Sequence, residues 1–232
     1  MPRRGALNPA GCDAGPVGTE WDGWSELHGG IRPSPLVRGW LRLVHGLARA
    51  APVARVPPDV LSGMGVAAAA GALAAAAGRW ALLAALLVVL AGVLDGLDGA
   101  VALHTGRVRP LGAVVDAMAD RLGDLLLVGV LLVLGAPAAL CVAAGALVLL
   151  HEYLRSRAQA AGMPGVGTVT VAERPLRIVL PALAAVGTAV WPDGTPLTQW
   201  PWATLCAGLW VVVAVVGLAQ LGVAVIRHIP TG

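Results

Sequence analysis

Asp95-Gly-Leu-Asp98-Gly99-Ala-Val-Ala102-Leu103, then eight residues, then Gly112-Ala-Val-Val-Asp116-Ala-Met-Ala-Asp120: this stretch decides how the chain is read. It is apolar apart from carboxylates spaced three and four residues apart. A carboxylate at membrane depth costs about 3 kcal/mol or more unless it is paired, metal-bound or facing water. On a helix, residues i, i+3, i+4 and i+7 share a face. Asp95, Asp98, Gly99 and Ala102 therefore form one stripe, and Gly112, Asp116 and Asp120 form another on the next segment. Such a pattern marks a site.

The rest of the chain justifies speaking of a membrane. Of its 232 residues 57% are hydrophobic and only 12% charged, and the mean hydropathy is +0.79, far above a soluble domain. The length fits one compact unit. All sixteen basic residues are arginine, giving a net charge of +3. Cys12, Cys141 and Cys206 have no CxxC spacing, which argues against zinc or a disulfide framework.

Six long apolar runs near the ~20 residues needed to cross a bilayer are expected at about 58–78, 80–103, 111–134, 137–157, 174–191 and 201–226. The connections after the first and third are short enough for antiparallel helical hairpins. Residues 1–34 read as a flexible polar tail without the apolar core of a signal peptide. Residues 35–54 read as an amphipathic juxtamembrane helix, with Leu36, Trp40, Leu43 and Leu47 on its apolar face. Residues 55–232 make up the six-helix membrane domain.

Arginines set the orientation. Arg38, Arg42, Arg49 and Arg55 precede the first span, and Arg107 and Arg109 follow the second. Arg155, Arg157, Arg174 and Arg177 flank the fourth-to-fifth connection, and Arg227 follows the sixth. Arg79 stands almost alone on the opposite side. The excess of positive charge on cytoplasmic loops places both termini and the aspartate-bearing helix ends in the cytoplasm of a multi-pass cell-membrane protein.

Four convergent carboxylates with oxygen-only chemistry suit a hard divalent cation, magnesium or its close relative manganese, and two ions rather than one. Such ions bridge and neutralise phosphates, so a pyrophosphate-containing substrate is expected. One carboxylate could then act as general base toward an attacking hydroxyl. Gly99, Ala102 and Gly112 leave room for a phosphate-bearing ligand to approach the backbone. Two other readings are open at this point. Pairing with Arg107, Arg109 or Arg121 explains one or two acids but not four, and a cation transporter or channel would use the aspartates as a path.

The pattern D-x2-D-G-x2-A-R-x8-G-x3-D-x3-D is that of the CDP-alcohol phosphatidyltransferases, and this chain resembles it at every fixed position but one over about residues 35–226. The resemblance implies a magnesium-dependent displacement of CMP from a CDP-linked lipid by an alcohol. Asp95, Asp98, Asp116 and Asp120 would hold metal, and Asp120 would also serve as base. Asp98, Gly99, Ala102 and Gly112 would border the nucleotide. The resemblance further implies a homodimer, with CDP-diacylglycerol, an alcohol and membrane lipid as partners and no nucleic acid. The exception is Leu103, where the family carries arginine, a bidentate donor to phosphate. That departure admits a divergent enzyme with another cation at the pyrophosphate, an enzyme of weakened activity or altered substrate, or a catalytically silent, scaffolding relative.

A second cluster, Glu152-Tyr153-Leu-Arg155-Ser-Arg157-Ala with Glu173-Arg174-Pro175-Leu-Arg177, resembles the actinobacterial members that make phosphatidylinositol phosphate or phosphatidylglycerophosphate. Arg155, Arg157, Arg174 and Arg177 are therefore candidate contacts to an acceptor that already carries phosphate, set against simple positive-inside anchoring. Asp124 continues the third-span stripe one turn deeper and is expected either to support the site residues or to pair with Arg121. His151 reads as structural.

Overall fold

The computed structural model describes residues 35–48, 55–105, 109–163 and 174–228, which form helices joined by turns and short irregular connections. The helices are α1 (Pro35–Ala48), α2 (Pro58–Ala77), α3 (Ala81–Thr105), α4 (Pro110–Val133), α5 (Ala138–Ala160), α6 (Arg174–Val190) and α7 (Trp202–His228). Prolines punctuate their starts. Pro58 and Pro110 occupy first-turn positions, where the missing N–H has no intrahelical partner to lose. The tail expected at 1–34, the end of the juxtamembrane segment at 49–54, and Arg107 all lie outside the described residues.

Both expected hairpins are present. Residues 78–80 join α2 to α3, and 134–137 join α4 to α5. In the second turn Gly135 sits at φ +102°, a left-handed conformation that glycine takes without steric cost.

Four of the helices, α2, α3, α5 and α7, are long and apolar enough to cross a bilayer. The other two long helices of the bundle differ for physical reasons. α4 carries Asp116, Asp120, Arg121 and Asp124, and α6 has only 17 residues. The lipid-like character continues on the outside, where Leu86, Val142 and Ile226 are 68–76% exposed.

Small side chains bring the helices together. The larger core cluster draws on α2 through α7, and alanine is its commonest member, as at Ala72, Ala84, Ala144, Ala184 and Ala207. The partners of α2 are chiefly α3 and α4, whereas α5 packs on α7 and α6 on α3 and α7. Direct contact between α3 and α4, the two aspartate helices, is sparse. A cleft lies between them, with α2 on one side and α6 on the other.

α1 lies against α3. Its Val44 is buried and Trp40 half-buried beside Gly96, so Trp40 and Val44 face the protein while Leu43 and Leu47 remain exposed. The expected apolar face is thus divided between packing and outward display.

The approach of α6 to α3 depends on Gly92. A Cβ placed there would overlap the side chain of Ile178, one turn beyond Arg174. Overpacking of a filled interface costs about 1–3 kcal/mol. Gly92→Ala is therefore expected to lower the thermal midpoint and to push α6 away from α3. A thermal melt and a crosslink between cysteines introduced at the α3–α6 contact would read both effects. An unchanged melt would mean that Ile178 repacks freely.

Candidate active site

The cleft forms where one end of α3 meets the beginning of α4 and α6. Ser62, Asp95, Asp120, Asp124, Arg174 and Arg177 line it around a cavity of about 30 Å³. That volume holds a water or an ion, not a nucleotide. All four motif aspartates are drawn to this end, but they do not share one environment.

Asp98, on α3, is buried. Its Oδ2 accepts a 2.5 Å hydrogen bond from the Ser62 hydroxyl of α2, and its Oδ1 accepts one of 2.6 Å from the Gly99 amide. Asp116, on α4, lies within reach of Asp98 across the cleft, yet its Oδ1 is buried with no hydrogen-bond partner among the described residues. A buried acceptor without a donor forfeits about 1–3 kcal/mol. A carboxylate oxygen left without a donor beside a second, buried carboxylate has the chemistry of a site that takes a cation.

Asp95 and Asp120 are joined by α6. Arg174 donates from Nε to Asp95 Oδ2 at 2.7 Å and from Nη2 to Asp95 Oδ1 at 2.9 Å, and the same Nη2 pairs with Asp120 Oδ1. Arg121 approaches Asp120 Oδ2 at 3.3 Å. Among the described residues no three acidic, histidine or cysteine side chains converge into a finished metal cage. The carboxylates fit a hard cation by donor type, by the orphaned Asp116 oxygen and by cavity size, with Arg174 standing between two of them.

Behind this layer lies a buried ion network. Arg177 donates from Nη1 to Asp124 at 2.9 Å and from Nη2 to Glu152 at 2.9 Å, and its side chain is 9% exposed. Glu152 is also approached by Arg121 at 3.5 Å and Arg155 at 3.9 Å. Asp124 thus pairs with Arg177 on α6 rather than with its neighbour Arg121. His151 is 1% exposed, with Nδ1 3.7 Å from Glu152, which agrees with its structural reading.

The remaining candidates sit apart from this network. Arg157 is exposed on the last turns of α5, and Ala102 is half-buried on α3. Among the described residues a Cβ at Gly99 would meet nothing within 4 Å, whereas at Gly112 it would touch Asp59 Oδ1 at 3.5 Å. Arg109 donates to that same Asp59 at 2.7 Å in an exposed pair. Leu103 lies in α3, near its end.

One contributor was absent from the sequence candidates, and another stood there without its role. Ser62 lies on α2, a segment with no motif residue, 36 residues before Asp98, and only its polarity inside an apolar run could have flagged it. Glu152 was legible as an acid among arginines, but not as the anchor of Arg177.

Residues 55–221 match the CDP-alcohol phosphatidyltransferase family model. The chain belongs to that family. It is a membrane-associated transferase of phospholipid biosynthesis, and the transporter reading falls away. This phosphatidyltransferase is 33% identical over 180 residues to the phosphatidylinositol phosphate synthase of Mycobacterium marinum, covering 72% of this chain and 71% of that one. Among solved structures it resembles the phosphatidylinositol phosphate synthase of Mycobacterium tuberculosis with CDP-DAG bound, at 26% identity and a TM-score of 0.62 over 79% of this chain and 94% of that one. The same synthase in complex with manganese and citrate gives an equal TM-score and identity, over 79% and 88% of the two chains.

Proposed function

We propose that this enzyme transfers the phosphatidyl group of CDP-diacylglycerol to the hydroxyl of a phosphorylated alcohol, inositol phosphate or glycerol 3-phosphate, and releases CMP. The observation that carries the proposal is the pair Asp98 and Asp116 facing across the α3–α4 cleft, with Asp116 Oδ1 lacking a donor among the described residues. The relatives named phosphatidylinositol phosphate synthase favour a phosphorylated inositol within that pair of alternatives.

Asp95, Asp98, Asp116 and Asp120 would hold one or two divalent cations, magnesium or manganese. A bound cation supplies charge neutralisation at the pyrophosphate. The chain's own residues do the rest. Asp98, Gly99, Ala102 and Gly112 border the nucleotide, and the open space beside Gly99 admits a phosphate close to the α3 backbone. Asp120 takes the proton of the acceptor hydroxyl as its oxygen bonds to the β-phosphorus. The bond from that phosphorus to the bridging oxygen breaks, and the oxygen leaves on CMP.

Arg155, Arg157 and Arg174 form the basic rim for the acceptor's phosphate. Arg177, with both terminal nitrogens engaged, belongs to that group as the residue that fixes α6 beneath Arg174. With no arginine at Leu103, the cation toward the pyrophosphate comes from elsewhere. Arg109 is available, because an exposed ion pair such as the one with Asp59 holds by only about 0–1 kcal/mol.

The six helices α2–α7 would span the membrane with both termini cytoplasmic. α1 would lie at the interface with Leu43 and Leu47 toward lipid. The lipid tails would leave sideways between helices, and the enzyme would act as a homodimer.

The test is CMP release from purified enzyme in lipid nanodiscs given CDP-diacylglycerol, magnesium or manganese, and a panel of alcohols with and without phosphate. Release with inositol phosphate or glycerol 3-phosphate is expected. Release only with unphosphorylated alcohols would overturn the acceptor class, and no release with any of them would overturn the whole reading.

A further inference from the structure

Arg174 and Arg177 stand one turn apart on α6 and are held in opposite ways. Arg177 is 9% exposed and bonded to an acid on each side. Arg174 is 38% exposed, sits at the first position of α6 and reaches Asp95 and Asp120 with one end of its side chain. A long side chain at a helix terminus can swing away without moving the helix. Its carboxylate partners are two of the four acids that carry the proposed metal site.

We infer that Arg174 is the resting counter-cation of Asp95 and Asp120, displaced when metal enters, and that it couples metal binding to phosphate binding. The inference rests on the reading of these aspartates as metal ligands. A divalent ion on Asp95 and Asp120 takes up the negative charge that holds Arg174 and repels its guanidinium across the same short distance, so metal entry displaces Arg174 from them. Once expelled, the guanidinium is an unpaired, partly exposed fork beside the site, and a phosphate is its natural bidentate partner. Phosphate captures the displaced Arg174 and so favours the state in which metal can bind. A ligand shifts such an equilibrium only through its different affinity for the two states, and the coupling is reciprocal. The metal therefore tightens the acceptor's phosphate by the factor by which that phosphate tightens the metal. An enzyme built this way keeps its acids partly neutralised without metal and populates its full site most when acceptor and metal are both present.

The experiment measures manganese binding to the intact protein in nanodiscs by electron paramagnetic resonance of the free ion, with and without inorganic phosphate and with no lipid substrate present. Wild-type protein is expected to bind manganese about fivefold or more tightly when phosphate is present, the lower end of typical coupling between linked sites. Arg174→Gln is expected to bind manganese more tightly than wild type without phosphate, and to gain nothing when phosphate is added. An Arg174→Gln variant no tighter than wild type, or one that keeps the full phosphate effect, would overturn the inference. Asp116→Asn separates the two levels of the argument. If it loses manganese binding while Arg174→Gln behaves as wild type, the metal site stands and the coupling falls. If neither wild type nor any variant binds manganese, the metal site itself is wrong and the coupling falls with it.

Discussion

Asp120→Asn is expected to abolish CMP release while the fold persists. The substitution keeps shape and size but removes the charge and the only basic oxygen proposed to take the acceptor's proton. General-base catalysis contributes about 10²–10⁴-fold, and Asp120 is also a proposed metal ligand, so a loss of at least about a hundredfold is expected in the CMP assay. Stability should change little. Arg174 keeps its two hydrogen bonds to Asp95, and Arg121 keeps its contact with Glu152. A melt within a few degrees of wild type beside a collapsed rate is the expected pair of results. A wild-type rate would remove Asp120 from the role of base.

Arg177→Ala has the opposite signature, acting first on stability. Its guanidinium is shared by Asp124 on α4 and Glu152 on α5, so one side chain of α6 ties three helices together. Removing one partner of a buried ion pair costs about 3–5 kcal/mol, because the other charge is left uncompensated. For a chain of this size that is a fall in thermal midpoint of roughly 6–20 °C. The two acids would not suffer equally. Glu152 retains Arg121, Arg155 and His151 nearby, whereas Asp124 loses the one ion pair it makes among the described residues. Adding Asp124→Leu to an Arg177→Met variant should therefore recover a large part of the loss. Arg155→Ala, whose contact with Glu152 is 3.9 Å, serves as the reference for a weakly held arginine. A melt of Arg177→Ala within 2 °C of wild type would show that the network contributes nothing to the fold.

The two signatures explain what could be read from the chain. Helix positions follow from local composition: Pro58 and Pro110 start helices, Gly78 and Gly135 turn the chain, and the apolar runs between have the length of a bilayer. The aspartate stripes were legible because a charge in an apolar run has few structural excuses. Spacing within one helix says nothing of the partner on another. That Ser62 serves Asp98 across 36 residues, and Arg177 serves Asp124 across 53, is decided by how α2 and α6 pack. Likewise the arginines looked alike as a basic cluster, and only packing separates Arg174, facing the cleft, from Arg177, buried behind it. The sparse contact between α3 and α4 was invisible too, since two helices joined by a short loop are ordinarily taken as close neighbours.

The alanine-rich core has a consequence for how this protein can change over time. In most domains the damaging replacements are truncations, because a large buried side chain leaves a hole when shortened. Here Ala72, Ala84, Ala144, Ala184, Ala185 and Ala207 have no exposed surface left and almost nothing to lose. Injury runs in the other direction, toward any replacement that adds carbon. Evolution of this scaffold is therefore confined by crowding: its outward leucines and valines are free to drift, while the smallest residues along the helix seams are the ones that cannot grow.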